Sequence, residues 1–89
     1  MSFTHYDLGH RSRGDVVEVV LSGSAAHVRL MDDQNFSDYR SGRRYHFLGG
    51  LAKRSPIRLQ VNNPGHWHVA VDLAGLRGTT KSAIRVIPA

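Results

Sequence analysis

No cysteine occurs in the 89 residues. That absence removes a disulfide framework, a thiolate zinc site and a cysteine nucleophile together. No stretch approaches the roughly 20 apolar residues that a bilayer-spanning helix needs. The opening MSFTHYDLGHRSRG has no basic region followed by an apolar run, so no signal peptide is expected. With no thiol to protect, the chain is expected in the cytoplasm. Catalytic signatures are missing as well. There is no G-x-S-x-G elbow and no H-E-x-x-H pair, and no paired carboxylates stand out. GLRGTTKS (residues 75–82) lacks the spacing of a phosphate loop. Acidic residues are scarce: seven Asp and Glu stand against twelve Lys and Arg, a net charge of +5. A chain of this length hides only about two-thirds of the surface that its unfolded form exposes, which leaves little room for an internal active-site cavity.

What is present is alternation. In DVVEVVL (15–21), Val17, Val19 and Leu21 oppose Glu18. In AHVRLMD (26–32), Ala26, Val28 and Leu30 oppose His27, Arg29 and Met31. PIRLQV (56–61) and SAIRVI (82–87) set Ile57, Leu59, Val61, Ile84 and Val86 against Arg58, Gln60 and Arg85. Successive strand side chains point to opposite faces, so each run is expected to be a half-buried strand. SGS (22–24) separates two strands at hairpin distance, and NNPG (62–65) is a strong turn. RRYHFLGG (43–50) reads as a further strand ending at the glycine pair, and FTHYDL (3–8) as an edge strand. One segment departs from the period of two. DDQNFSDYRSG (32–42) has Phe36 and Tyr39 at helical spacing, acidic residues at its start and Gly42 at its end. It predicts a short helical turn near 33–40 that packs both aromatics on a sheet edge. The sum is an all-β fold, a small jelly-roll-like β-sandwich of about seven short strands, filling residues 1–89 as one domain.

The only tryptophan sits in GHWHVAVDLAG (65–75). Alternation places Trp67, Val69, Val71 and Leu73 on one face and His66, His68, Ala70 and Asp72 on the other. The apolar set claims the core, which turns the histidines towards water. Two imidazoles at H-x-H spacing stand about 7 Å apart on one strand face, a span that one zinc ion could bridge with a third ligand. Third-ligand candidates are His5, His10, His27, His46 and Asp72. They are scattered in sequence, so the expectation is exposed strand polarity, with no metal and no cofactor and with His66 and His68 as the weak metal candidates.

The arginines carry the stronger functional signal. Arg29, Arg58 and Arg85 fall on the polar faces of three strands, and Arg43, Arg44, Lys53 and Arg54 lie in the segments after the helical turn. With Tyr39 and Tyr45 nearby, these residues could bind a phosphate-bearing ligand or single-stranded nucleic acid by charge and stacking. Alternatively, the arginines are solvated caps on outer sheet faces and the tyrosines are packing residues.

FTHYDLGH, VVEVVLSGSAAHVRLMD, NFSDYRSGRRYHFLGG, SPIRLQV, GHWHVAVDLAGLRG and the closing IRVIP resemble, in order, the bacterial family catalogued as domain of unknown function 1883. The resemblance covers Ser2 to Pro88. It implies a compact β-sandwich that stands alone or precedes a TIR-type domain, acting as a recognition or accessory module, and it brings no catalytic residues. A looser architectural likeness is to the jelly-roll modules appended to secreted enzymes. The expected role is therefore non-enzymatic: a recognition or interaction module for an unknown protein or phosphate-bearing ligand, without membrane contact. Self-association through an edge strand such as residues 3–8 is compatible with it. Nucleic-acid or nucleotide binding through Arg29, Arg43, Arg44, Arg54, Arg58 and Arg85 is the alternative, and a histidine-based metal site is third.

Overall fold

The alternating runs become seven strands in the computed structural model, which describes residues 2–89. They are β1 (Phe3–Arg11), β2 (Val16–Gly23), β3 (Ala26–Asp32), β4 (Leu48–Ala52), β5 (Ile57–Gln60), β6 (Gly65–Asp72) and β7 (Thr80–Ile87), with one helix, α1 (Asp33–Arg40), between β3 and β4. Two antiparallel sheets form, with strand orders β1-β6-β3-β4 and β5-β2-β7. Their facing surfaces enclose Val17, Val19, Ala26, Val28, Leu30, Val61, Trp67, Val69 and Val71. The inward sets named from alternation are therefore the core, including Trp67, whose Nε1 donates to the Asn63 carbonyl at 2.9 Å. This is an all-β sandwich with one short helix. Tyr6 ties the sheets together near one edge, its hydroxyl bonding the Ser82 backbone carbonyl at 2.9 Å and lying 2.7 Å from the Ser82 hydroxyl.

The strand connections differ from the local reading in two places. SGS does not close a hairpin, because β2 and β3 belong to different sheets. The chain crosses the sandwich there, and the Ser24 N–H is satisfied by the Thr79 carbonyl at 2.9 Å. Nor does the segment 43–50 form a strand ending at its glycines. Strand β4 begins at Leu48 and contains the pair. Gly49 is placed by close approach: it has φ +108°, and a Cβ there would collide with the Val28 carbonyl oxygen. FTHYDL is an edge strand as expected, and it extends to Arg11.

Helix α1 follows its sequence signals. The Asp32 carboxylate caps it by accepting from the Asn35 N–H at 2.9 Å. An eight-residue helix is marginal alone, so packing must hold it. Phe36 and Tyr39 supply that packing, but they lie across the outer face of β3 and β6 and not on a sheet edge. The consequence reverses one expectation. Of the residues assigned to water on β6, only His66 is exposed. His68, Ala70 and Asp72 are 5%, 0% and 2% exposed because the helix covers that face. Met31 on β3 is buried by the same cover.

Trp67→Ala should cost about 3–5 kcal/mol through cavity formation. Urea denaturation checks this: a loss well under that range would mean that the indole is not a core element.

Candidate functional site

The covered face of β3 and β6 holds a buried ion pair. Arg29 Nε donates to Asp72 Oδ2 at 2.9 Å, and the Asp72 side chain is fully buried. The Tyr39 hydroxyl, brought down by α1, donates to the same oxygen at 2.7 Å, and the Ala74 N–H donates to Oδ1 at 3.1 Å. Burial works to raise the Asp72 pKa, but the hydrogen bonds from Arg29 and Tyr39 outweigh it and hold the carboxyl below its ordinary value. Burial and the bond to Asp72 push the Tyr39 phenol upward. The Arg29 guanidinium also lies 4.9 Å from the Phe47 ring centre and 5.8 Å from that of Tyr45. Through Tyr39 this pair joins helix to sheet, with Asp72 fully buried and the Arg29 side chain 11% exposed.

On the outer face of the other sheet, Arg58, Glu18 and Arg85 stand in register across β5, β2 and β7. The buried Glu18 carboxylate accepts from Arg85 Nε at 2.7 Å and from Arg58 Nε at 2.9 Å. Hydrogen bonding from Arg85, and then from Arg58, lowers the Glu18 pKa against the opposing effect of desolvation. Arg43 pairs with Asp38 at 2.9 Å. Arg44 and Arg54 are exposed in separate segments. The six arginines proposed as one binding face are thus divided: Arg29 is under the helix, Arg43 and Arg44 are beyond it, Arg54 is at the β4–β5 turn, and Arg58 and Arg85 lie on the opposite sheet.

The histidines converge more than their spacing suggests. His5 on β1 is in register with Ala70, and Asp7 with His68. His5 Nε2 lies 2.9 Å from His68 Nδ1, His68 Nε2 lies 2.6 Å from Asp33 Oδ1, and His66 Nε2 lies 2.6 Å from Asp7 Oδ1. The His5 and His68 rings stack on Phe36 at 4.3 and 4.4 Å between centres, and His66 stacks on His68 at 4.8 Å. Burial, and then the neighbouring His68, lower the His5 pKa. Ligand atoms of Asp7, His66 and His68 all lie within 4.8 Å of one another. Of the third-ligand candidates, His5 joins this cluster. His10 occupies the register position opposite His66. Asp72 is committed to Arg29, and His27 bonds the Ala74 carbonyl at 3.0 Å. The His46 N–H is held by the Asn35 side chain at 2.8 Å, away from the cluster. Sequence reasoning missed Asp7 and Asp33. The signal for Asp7 was D-L-G, an Asx-type turn in which Asp7 Oδ1 accepts from the Gly9 N–H at 2.9 Å.

A third feature is the open side between β4 and β5. A groove of about 480 Å³ runs there, lined chiefly by Val28, Leu51, Ile57, Lys53 and Arg54 and by the Gly49–Gly50 backbone. Its lining is mainly apolar, and Leu51 is 50% exposed.

One family model, Domain of unknown function (DUF1883), matches residues 1–89, the whole chain. The chain belongs to the DUF1883 family. No curated protein and no solved structure matches it. In this DUF1883 domain the network under the helix is mostly enclosed, whereas Arg58 and Arg85, the His66–Asp7 end of the histidine cluster and the β4 groove are open to solvent.

Two measurements follow. Arg29→Ala leaves the Asp72 carboxylate buried without its cation and should cost about 3–5 kcal/mol in urea denaturation. An effect under a kilocalorie would show that water solvates the site. Asp72 and Glu18 have folded-state pKa values below their unfolded ones. Their stabilisation is present in full above about pH 4–5 and is lost as the pH falls through the folded values. A stability–pH profile that stays flat down to pH ~2 would contradict these ion pairs.

Proposed function

We propose that this domain is a non-catalytic recognition module that takes an extended, acidic peptide along the free edge of β4. The observation that carries this reading is the contrast between β4 and the other three sheet edges. Edge strands are normally guarded by bulges, charges, proline or shortness. β1 has a register shift between Asp7 and Gly9. β5 has four residues, follows Pro56 and carries Arg58. β7 carries Lys81 and Arg85. β4, with the sequence Leu-Gly-Gly-Leu-Ala, is also short but has no register shift, no proline and no charged residue. It pairs only with β3 and leaves its other edge beside the apolar groove. A strand added there would gain main-chain hydrogen bonds, with alternate side chains meeting Leu51 and Ile57.

Charge selects the partner. Lys53 and Arg54 border the groove, and neither is paired with a carboxylate among the described residues. The net charge of +5 adds long-range attraction for an acidic segment. Binding of phosphate or nucleic acid by the arginines has less support, because Arg29, Arg43, Arg58 and Arg85 already face carboxylates on separate surfaces.

Selection from a phage-displayed random-peptide library tests the proposal. Acidic sequences with alternating apolar residues should be enriched. Their affinity should fall at least about tenfold, ~1.4 kcal/mol, in Leu51→Glu and in the Lys53→Glu/Arg54→Glu double variant. No enrichment, or unchanged binding in both variants, would overturn it. So would tight, steeply salt-dependent capture of single-stranded DNA that survives the Lys53→Glu/Arg54→Glu change, which would move the site to the other arginines.

A further inference from the structure

At the opposite edge of the same sheet, the β1–β6 cluster has a different chemistry, independent of the β4 groove. We propose that Asp7, His66 and His68 bind a divalent cation of the zinc class. Ligand atoms about 2.0–2.1 Å from a tetrahedral ion lie roughly 3.3 Å apart. The three ligand atoms here all lie within 4.8 Å of one another, and the closest pair, His66 Nε2 and Asp7 Oδ1, are 2.6 Å apart. The set therefore brackets the required spacing. The two groups that must adjust are also the free ones, because the His66 and Asp7 side chains are 46% and 55% exposed.

The third ligand is already fixed. The His68 side chain is only 6% exposed, its ring is stacked on Phe36, and its Nε2 faces the Asp33 carboxylate at 2.6 Å. A carboxylate on one imidazole nitrogen holds the proton there and leaves the lone pair of the other for a metal, the usual outer-shell arrangement around a histidine ligand. In His68 that other nitrogen, Nδ1, faces β1 and accepts from His5 Nε2 at 2.9 Å, a hydrogen bond that the ion would replace as the His5 ring turns aside. When the ion enters, the Nε2 proton that His66 donates to Asp7 is displaced to solvent and the ring binds as its Nδ1–H tautomer, while the Asp7 carboxylate turns from hydrogen-bond acceptor to ligand.

The strand geometry is shaped for this face. Alternation alone would put Asp7 and His10 on opposite sides of β1. The extra residue between Asp7 and Gly9 resets the ladder, so Asp7 stands opposite His68 and His10 opposite His66, on the same face. Bulges of this kind re-aim side chains beside functional sites. An all-nitrogen and oxygen donor set with two imidazoles suits zinc and its neighbours and does not suit calcium or magnesium. The bound ion would fasten the edge strand β1 to β6.

Zinc titration of the full chain, followed by NMR and by calorimetry, tests the site. One equivalent should bind at micromolar zinc, with shifts concentrated at Asp7, His66 and His68. Asp7→Asn and His66→Ala, both at exposed positions, should weaken binding at least about tenfold, and Asp33→Asn by about 10–100-fold as the outer carboxylate. His27→Ala and His46→Ala should bind as the parent does. Thermal melts of each variant without metal establish that it is folded. No shift at His66 and His68 under saturating zinc, parent affinity in both Asp7→Asn and His66→Ala, or loss of binding in His46→Ala would each overturn the proposal.

Discussion

Asp72 is buried between a sheet and a helix, and a buried carboxylate has to be answered by charge and hydrogen bonds. Arg29 on β3 gives the charge, and Tyr39 on α1 gives a hydrogen bond from the opposite side. This one constraint ties β6 to β3 and α1, which lie 43 and 33 positions earlier in the chain at Arg29 and Tyr39. It fixes where the helix lies across the sheet. Once the helix is seated, Phe36 becomes the floor on which His5 and His68 stack, and Asp33 in its first turn comes within 2.6 Å of His68. The placement of the histidine cluster thus depends on the ion pair that lies beneath the same helix.

The same sheet presents different chemistry at its two edges. At β1 a bulge, a glycine and a carboxylate interrupt the ladder and gather imidazoles on the outer face. At β4 two glycines keep the backbone bare beside an apolar groove. An interrupted edge resists strand addition, and a bare edge invites it. The proposed ion site and the proposed peptide groove therefore lie at opposite edges of one sheet, and neither requires a deep cavity, which a chain of this length could hardly enclose.

The arginine content has a correspondingly plain use. Glu18 lies on the outer face of β2, and Arg58 and Arg85 flank it across the neighbouring strands, extending their aliphatic stems over the sheet. The β5-β2-β7 sheet has no helix to cover it, so paired arginines do the covering. The β1-β6-β3-β4 sheet has the helix, and Arg29 on its outer face is largely covered.

Alternation by itself determined β2, β3, β5, β6 and β7, their inward faces and the place of Trp67 in the core, because strand periodicity is a local property of the chain. The cap, aromatic pair and terminal glycine of 32–42 likewise determined the helix. What only the tertiary structure decided was what lies on the far side of each strand. His68 and Asp72 have the pattern of solvent-facing residues, yet the helix covers both, since a strand's second face is assigned by whatever packs on it. SGS looks like a hairpin turn, but the chain crosses between sheets there, because short loops that change sheets use the same residues as loops that do not. Asp7 and Asp33 reach the histidines across 59 and 35 positions of sequence, and neither partnership is encoded in spacing. Antiparallel register and a one-residue bulge set the first, and the seating of the helix across β3 and β6 sets the second, and neither is a property of one strand alone.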